Sequence, residues 1–427
     1  MKIAIIGTGY VGLVSGACFA ESGHDVSCMD VDENKINDLT SGIISIYEPE
    51  LKNLVVKNLK EQKLKFTTSM KEAVQNAQLI FICVGTPPKE NGSADLRYVL
   101  SVADEIGKYL SEGSVIVIKS TVPAGTDKTV RDQILRVTKK SFFIASNPEF
   151  LGEGTAVHDF MNPHRTIIGI DDEEPKFLLR ELYSDFPGEL LFMTIESAMM
   201  AKYASNAFLA TKISFINEIA NLCECVGANI DDVARGMSLD PRIGKHFLKA
   251  GIGYGGSCFP KDVRALYQIA SEHEHDFHLL KSVIEVNNNQ RIKFFGKIKK
   301  ELGDLNGKNI CILGLSFKPN TDDIRESIGI DLAQKFSNAG AEVVVYDPRA
   351  MNNAKKVLLG VEFADSLNEA IQKTDAIVIA TDWAEFRAID SALLKEALEK
   401  PIIFDGRNLL NYKDLIRVGY KYFAIGR

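Results

Sequence analysis

Several features are scarce in this chain, and each scarcity excludes something. There is no dense run of lysine and arginine, and the formal net charge is −7, so no nucleic-acid partner is expected. Cysteine occurs at seven positions, Cys18, Cys28, Cys83, Cys223, Cys225, Cys258 and Cys311. An odd number at irregular spacing argues against a disulfide framework and for a reducing compartment. No cysteine joins a histidine at zinc-ligand spacing, so no metal is expected. Long apolar runs are missing too. The uncharged stretch Ile3–Ala20 is interrupted by Gly7, Gly9, Gly12 and Gly16. Neither secretion nor membrane insertion is therefore expected, which leaves a cytoplasmic protein. What is present is an ordinary globular composition, 45% hydrophobic and 25% charged over 427 residues, enough for two or three domains.

Short β-rich runs alternate with amphipathic helical stretches in the first part: Lys2–Ile6, Asp25–Met29, Leu79–Val84, Val115–Ile118 and Phe142–Ala145. This alternation predicts a parallel sheet with helices on both faces. From Glu196 to Val226 no Pro or Gly interrupts a helical apolar pattern, and a second helical run spans Phe277–Leu302. After Gly307 the alternation restarts, with strands expected at Asn309–Leu313, Glu342–Tyr346, Ala376–Ala380 and Pro401–Phe404. The fold class is thus α/β, two Rossmann-like parallel-sheet domains joined by a long central helix and a helical region. That helix has an apolar face wide enough to serve as a dimer interface or to be covered by the chain's own domains.

Two segments carry chemistry. Gly7-Thr-Gly9-Tyr10-Val11-Gly12 follows the first strand and opens a helix. Gly7 permits the turn, Gly9 lets a pyrophosphate approach the backbone, and Gly12 allows close packing of helix on strand. The next strand ends at Asp30, about 18 residues after Gly12, where an acid accepts from a ribose 2′-hydroxyl and repels a 2′-phosphate. NAD rather than NADP is the expected cofactor. Thr86 and Thr121, in turns that follow later strands, are placed to touch the dinucleotide or a substrate; each alone is equally a turn residue or a cap.

The second segment is Gly251-Ile-Gly-Tyr-Gly255-Gly256-Ser-Cys258-Phe-Pro260-Lys261-Asp262. A glycine-rich loop feeds a helix, with Pro260 of the type favoured at the first helical position. Cys258 falls at or just before the helix N-terminus beside Lys261, two features that favour a thiolate. A buried structural cysteine, the plainer alternative, suits the other six better. Lys202 and Asn206, at i and i+4, share one helix face and could hold an oxyanion, although such a pair is more often simply solvated. Asn147-Pro-Glu149-Phe-Leu-Gly-Glu153-Gly154 sets two carboxylates in a loop at a strand's carboxyl edge, for proton handling, sugar binding or surface capping.

Together these segments resemble the UDP-glucose/GDP-mannose dehydrogenase superfamily over essentially the whole chain. The resemblance implies an NAD-binding domain over 1–195, a central helical dimerisation region over 196–300 that carries the cysteine loop, and a UDP-sugar-binding domain over 301–427. It implies a homodimer through the central helix. Cys258 is then the nucleophile, with Lys202, Asn206, Asp262, Glu153 and Thr121 around it. Glu149, Phe150, Leu151, Gly152 and Glu153 form a substrate and catalytic loop. Phe247, Leu248, Lys249, Ala250 and Gly251, with Gly255, wrap the nucleotide, and Lys318 and Arg407 also contact the substrate. Arg242 reaches the neighbouring subunit's substrate. Asp30 and Lys35 take the adenosine ribose, while Lys261 and Arg325 join the cofactor residues.

The implied reaction is a four-electron oxidation of a nucleotide sugar at C6, UDP-glucose first, through a thiohemiacetal and a thioester on Cys258. GDP-mannose and UDP-N-acetylmannosamine are the alternative substrates. A two-electron hydroxyacid dehydrogenase of the 6-phosphogluconate type has no need of Cys258. A non-enzymatic NAD-sensing module should lack Cys258 or Lys202, and both are present.

Overall fold

The computed structural model describes residues 1–390, 392–394 and 402–427. The chain divides into two compact units, Met1–Ser205 and Asn206–Arg427, and the helix Ile195–Val226 runs through the division. The first unit is built on β1 (Lys2–Ile6), β2 (Asp25–Met29), β3 (Leu64–Thr67), β4 (Leu79–Ile82), β5 (Ser114–Ile118), β6 (Phe142–Ser146), β7 (Arg165–Ile170) and β8 (Glu189–Met193). Their order is β3-β2-β1-β4-β5-β6-β7-β8. Successive side chains of a strand point to opposite faces. Accordingly Ile3 and Ile5 enter one hydrophobic core while Ala4 and Ile6 enter another. Both faces are covered, which is why these strands read as continuous apolar runs rather than as alternation.

The strand order reverses between β1 and β4. The crevice beyond the carboxyl ends of strands at such a reversal is where ligands sit in sheets of this kind. The predicted strands of this sheet pair in parallel, whereas β6 and β7, a strand not predicted from the sequence, pair antiparallel. Because only the last residues of β7 pair with the end of β6, β7 starts beyond the carboxyl end of β6, and the intervening segment Asn147–His164 stays at the carboxyl edge, where a ligand-binding loop belongs. The strands that sequence reading passed over, β3, β7 and β8 here, are short or half-exposed and lack the full apolar signature.

The second unit carries β9 (Asn309–Leu313), β10 (Glu342–Tyr346), β11 (Glu362–Phe363), β12 (Ala376–Ile379), β13 (Ile402–Asp405) and β14 (Lys421–Phe423). The order is β11-β10-β9-β12-β13-β14, and every pairing is parallel. Pro401, expected to open a strand, lies outside the described residues. The second sheet repeats the first one's local device. Gly7 and Gly314 have φ of +98° and +102°. A Cβ on Gly12 would lie 1.9 Å from the Gly7 carbonyl oxygen, and one on Gly329 2.0 Å from that of Gly314.

The repeat is not a second dinucleotide site. Asp347, which follows β10 as Asp30 follows β2, is buried. Its Oδ2 accepts from the Leu315 and Ser316 amides at 2.8 and 2.9 Å and from Trp383 Nε1 at 3.0 Å. Its Oδ1 accepts from the Arg349 and Ala350 amides, both at 2.8 Å. With both oxygens committed, Asp347 has no capacity for a ribose hydroxyl.

Candidate active site

In the first unit the glycine turn ends at the helix Tyr10–Glu21, for which Gly9 is the N-cap. A Cβ on Gly9 would meet nothing within 4 Å, so the turn is open on the side a pyrophosphate approaches. A cleft of about 380 Å³ runs beside it, lined by Gly7, Asp30, Val31, Ser69, Val102 and Tyr109 among others. Asp30 Oδ2 accepts from the Thr8 amide at 2.9 Å, the Thr8 hydroxyl at 2.7 Å and Lys35 Nζ at 2.8 Å. Burial works against ionisation, but the Lys35 and Thr8 hydrogen bonds outweigh it and hold the Asp30 carboxyl down to about 2. Asp30 is therefore a pure acceptor, and the cleft fits a dinucleotide with free ribose hydroxyls. Thr86 donates to the Thr121 carbonyl at 2.9 Å, which ties together the two turns that sequence placed near the ligand. Asp30→Ala should raise KM for NAD about ten-fold, the worth of one hydrogen bond to a charged group, and weaken the preference for NAD over NADP. Initial rates with both cofactors test this, and an unchanged preference would refute the assignment.

The loop Asn147–Gly154 is anchored from below. Asn147 Oδ1 accepts from Lys119 Nζ at 2.8 Å and from the Tyr183 hydroxyl at 2.6 Å, and its Nδ2 donates to the Ile167 carbonyl at 3.0 Å. Glu149 Oε1 accepts from Lys202 Nζ at 2.9 Å, and its Oε2 accepts from the Leu151 amide at 2.6 Å. Burial alone would raise the Glu149 carboxyl; the Lys202 charge and hydrogen bond, the Leu151 amide and the Lys119 charge overcome it and hold the group below its ordinary value. Two cations approach the Phe150 ring, with Arg165 4.0 Å and Lys202 5.4 Å from its centroid. Glu153 is buried and acts electrostatically on Tyr10.

Lys119 was missed in the sequence because its strand reads as core and its neighbours Ser120 and Thr121 take the turn signal. It is buried, and burial, partly countered by Cys83 and Glu149, pulls its ammonium from 10.5 down to about 8. A lysine with a depressed folded-state pKa costs stability in full below pH 8, and the cost fades as pH rises toward 10.5. Lys119→Met is thus expected to stabilise the fold at pH 7 by up to about 3 kcal/mol, an advantage lost by pH 10.5. Urea unfolding across that range checks it; a pH-independent difference would contradict it.

In the second unit Cys258 is the N-cap of the helix Phe259–Glu272, and Pro260 is that helix's second residue rather than its first. The loop before it is fixed by polar side chains of two helices. Asn217 Oδ1 accepts from the Gly251 amide at 2.8 Å. From the helix His278–Leu302, Gln290 donates to the Gly251 carbonyl at 2.8 Å, Asn287 exchanges bonds with Tyr254, and Arg291 donates to the Tyr254 carbonyl at 2.9 Å. The stretch after Gly314 closes in from the other side. The Gly256 amide donates to the Arg325 carbonyl at 3.0 Å, and a Cβ on Gly255 would lie 2.2 Å from the Glu326 carbonyl oxygen. Only glycine fits there.

Cys258 is partly exposed, with Ser257 Oγ 3.5 Å from its Sγ. Asp262 is fully buried; its Oδ2 accepts from Asn206 Nδ2 at 2.6 Å, and its Oδ1 accepts from Lys261 Nζ. The cation expected beside the thiol is therefore engaged by Asp262. Lys202 and Asn206 lie one turn apart as the spacing predicts, yet each serves a different acid.

The remaining predicted residues come from several separate segments. Arg242 and Arg325 are exposed and each binds the aspartate two residues before it, Asp240 and Asp323, at 2.6 Å. Lys318 Nζ lies 5.6 Å from the Phe317 ring centroid. Phe247 has φ of +64°, Leu248 and Ala250 are buried, and Lys249 pairs with Asp382 at 2.9 Å. Arg407 donates to the carbonyls of Ala380 at 2.7 Å and Gly253 at 3.0 Å, so it holds the cysteine loop. Among the described residues no helix is long and apolar enough to cross a membrane, and no group of three or more His, Cys, Asp or Glu is placed to hold a metal ion.

Residues 1–187, 196–289 and 311–412 match in turn the NAD binding domain, the central domain and the UDP binding domain of the UDP-glucose/GDP-mannose dehydrogenase family. The chain is 48% identical to UDP-glucose 6-dehydrogenase TuaD of Bacillus subtilis, over all of this chain and 93% of that one. A UDP-glucose dehydrogenase structure from the archaeon Pyrobaculum islandicum superposes with a TM-score of 0.93 at 37% identity, covering 99% of this chain and 96% of the other. A UDP-D-ManNAc dehydrogenase from Pyrococcus horikoshii follows at 0.88 and 30%, covering 100% and 99%. The cofactor is NAD, which the open glycine turn and the ionised Asp30 fit. The chain belongs to the UDP-glucose/GDP-mannose dehydrogenase family.

Proposed function

We propose that the protein oxidises UDP-glucose at C6 to UDP-glucuronate with Cys258 as covalent nucleophile. The observation that carries the reading is the setting of that thiol. Cys18, Cys28, Cys83, Cys223 and Cys311 are buried, and burial pushes the Cys18 and Cys83 thiols up to about 12. Cys258 alone is part-exposed at a helix N-terminus after a braced glycine loop, the surroundings of a reactive thiol.

NAD, when bound, accepts hydride. The chain's residues do the rest. Cys258 Sγ adds to the C6 aldehyde and creates a tetrahedral thiohemiacetal, which again carries a hydrogen that can leave as hydride. The resulting thioester is opened by water. Lys202 and Asn206 steady the oxyanion, and Asp262, with Glu153, manages water and protons. Thr121 serves the same chemical steps. Gly7–Gly12, Asp30, Lys35, Thr86, Lys261 and Arg325 serve the cofactor, and Glu149–Gly152, Phe247–Gly251, Gly255, Lys318 and Arg407 serve the sugar nucleotide. The functional divisions are 1–195, 196–300 and 301–427. Initial rates with UDP-glucose, GDP-mannose and UDP-N-acetylmannosamine test the substrate, and faster turnover of either rival would overturn UDP-glucose.

We also propose a homodimer in the cytoplasm. None of the seven cysteines is in a disulfide, which suits a reducing compartment. Phe208, Phe215 and Leu222 are 65%, 50% and 56% exposed and recur every seven residues on the central helix, so they form one apolar seam that a second copy would cover. Sedimentation should give twice the 47.1 kDa chain mass, and Phe215→Asp should shift the protein toward monomer. A wild-type monomer would defeat the proposal, as would a variant that stays fully dimeric.

A further inference from the structure

Glu48 stands outside the machinery described so far, and sequence reading did not single it out. It lies between the helices Glu33–Thr40 and Leu51–Lys60, in the first unit, and is buried. Its carboxylate faces two segments far apart in the chain. Oε2 accepts from the Tyr10 hydroxyl and from the Gly154 amide at 2.6 Å. Oε1 accepts from the Ala156 amide at 2.7 Å. The Gly154 amide also reaches the Tyr10 hydroxyl oxygen at 2.9 Å, which closes a triangle of Glu48, Tyr10 and Gly154. Burial raises the Glu48 carboxyl, with Tyr10 and the Gly154, Ala156 and Val157 amides pulling the other way.

The two segments are functional ones. Tyr10 is the first residue of the helix after Gly9, at the open side of the dinucleotide turn. Gly154, with φ of +83°, ends the loop that carries Glu149 and Glu153, and the short helix Ala156–Met161 begins just beyond it. One buried carboxylate thus fixes the cofactor turn and the acid loop to each other. Charge-assisted bonds of this kind are the strong ones, and a half-broken buried network is worse than none.

We infer that Glu48 is a positioning residue that couples the two segments, so that a dinucleotide ordering Tyr10 also orders the Glu149–Gly154 backbone. The inference rests on the dinucleotide reading of the first unit and on the role proposed for the acid loop. It assigns Glu48 no contact with substrate or cofactor.

The test is amide hydrogen exchange on the full chain with and without NAD, in the wild type, Tyr10→Phe and Glu48→Gln. Tyr10→Phe removes a single hydroxyl and keeps the fold testable if Glu48→Gln does not fold. In the wild type, NAD should slow exchange in the Gly7–Gly12 peptide and, about ten-fold, in the peptide containing Gly154 and Ala156, the worth of one charge-assisted hydrogen bond. In Tyr10→Phe, at NAD concentrations that saturate the variant, the first protection should persist and the second should be lost. A merely structural Glu48 predicts equal Gly154 protection by NAD in both proteins, and that result would overturn the coupling. Missing protection of Gly7–Gly12 in the wild type would instead remove the dinucleotide reading, and the inference with it.

Discussion

Cys258→Ser should lower uronate formation by at least about a thousand-fold, the scale on which loss of a covalent nucleophile is felt. The hydroxyl is far harder to ionise than a thiol, so capture of the aldehyde slows. Any adduct that does form proceeds to an oxygen ester, which water opens slowly. Oxidation of the alcohol to the aldehyde needs no thiolate, so some NADH should still appear while uronate does not. Cys225→Ser, at an exposed position within the long helix, is the control and should behave as wild type. Product analysis under saturating NAD decides the matter: a Cys258→Ser enzyme making uronate within ten-fold of the wild-type rate would end the covalent account.

The second large effect concerns the buried pair of Lys202 and Glu149, whose side chains are 4% and 7% exposed. Lys202→Met leaves a carboxylate buried without its cation, which typically costs about 3–5 kcal/mol. The pH dependence fixes the sign. In the wild type the folded-state pKa of Glu149 lies below its ordinary value, so its contribution is present above the unfolded pKa and lost as pH falls through the folded one. In the variant burial acts unopposed by Lys202, the folded pKa should rise above the unfolded value, and the destabilisation should shrink as pH falls from 7 to 4. The double variant Lys202→Met/Glu149→Gln removes both charges and should regain most of the stability while remaining inactive. Urea unfolding of the three proteins tests this; a double variant as unstable as Lys202→Met alone would show that the ion pair is not what the single change breaks.

The features legible in the sequence were those written in local spacing. The boundaries of β1, β2, β9 and β10 follow from apolar runs closed by glycine or an acid, and the long helix follows from the absence of Pro and Gly. The glycine turn with Asp30, and the glycine loop leading into Cys258, are short-range patterns with one physical reading each. What stayed hidden depends on contacts between distant segments. Nothing near Glu48 signals that its carboxylate meets Tyr10 and Gly154. Nothing near Lys119 signals burial, because a single lysine at a strand end ordinarily reaches solvent. The i, i+4 spacing put Lys202 and Asn206 on one face but could not say that one would bind Glu149 and the other Asp262. A local cue was also overlooked: in Asp95-Leu-Arg97, Asp240-Pro-Arg242 and Asp323-Ile-Arg325 the arginine folds back on the aspartate two residues earlier, so Arg242 and Arg325 already have partners within their own segments.

The central claim is that one thiol turns a two-electron alcohol oxidation into a four-electron one. Its most direct test is the stoichiometry of NADH formed per UDP-glucose consumed, followed by absorbance to completion with limiting UDP-glucose and excess NAD. The account predicts two NADH and one UDP-glucuronate for each UDP-glucose. One NADH per UDP-glucose, with an aldehyde as the end product, would contradict it and leave Cys258 a structural residue.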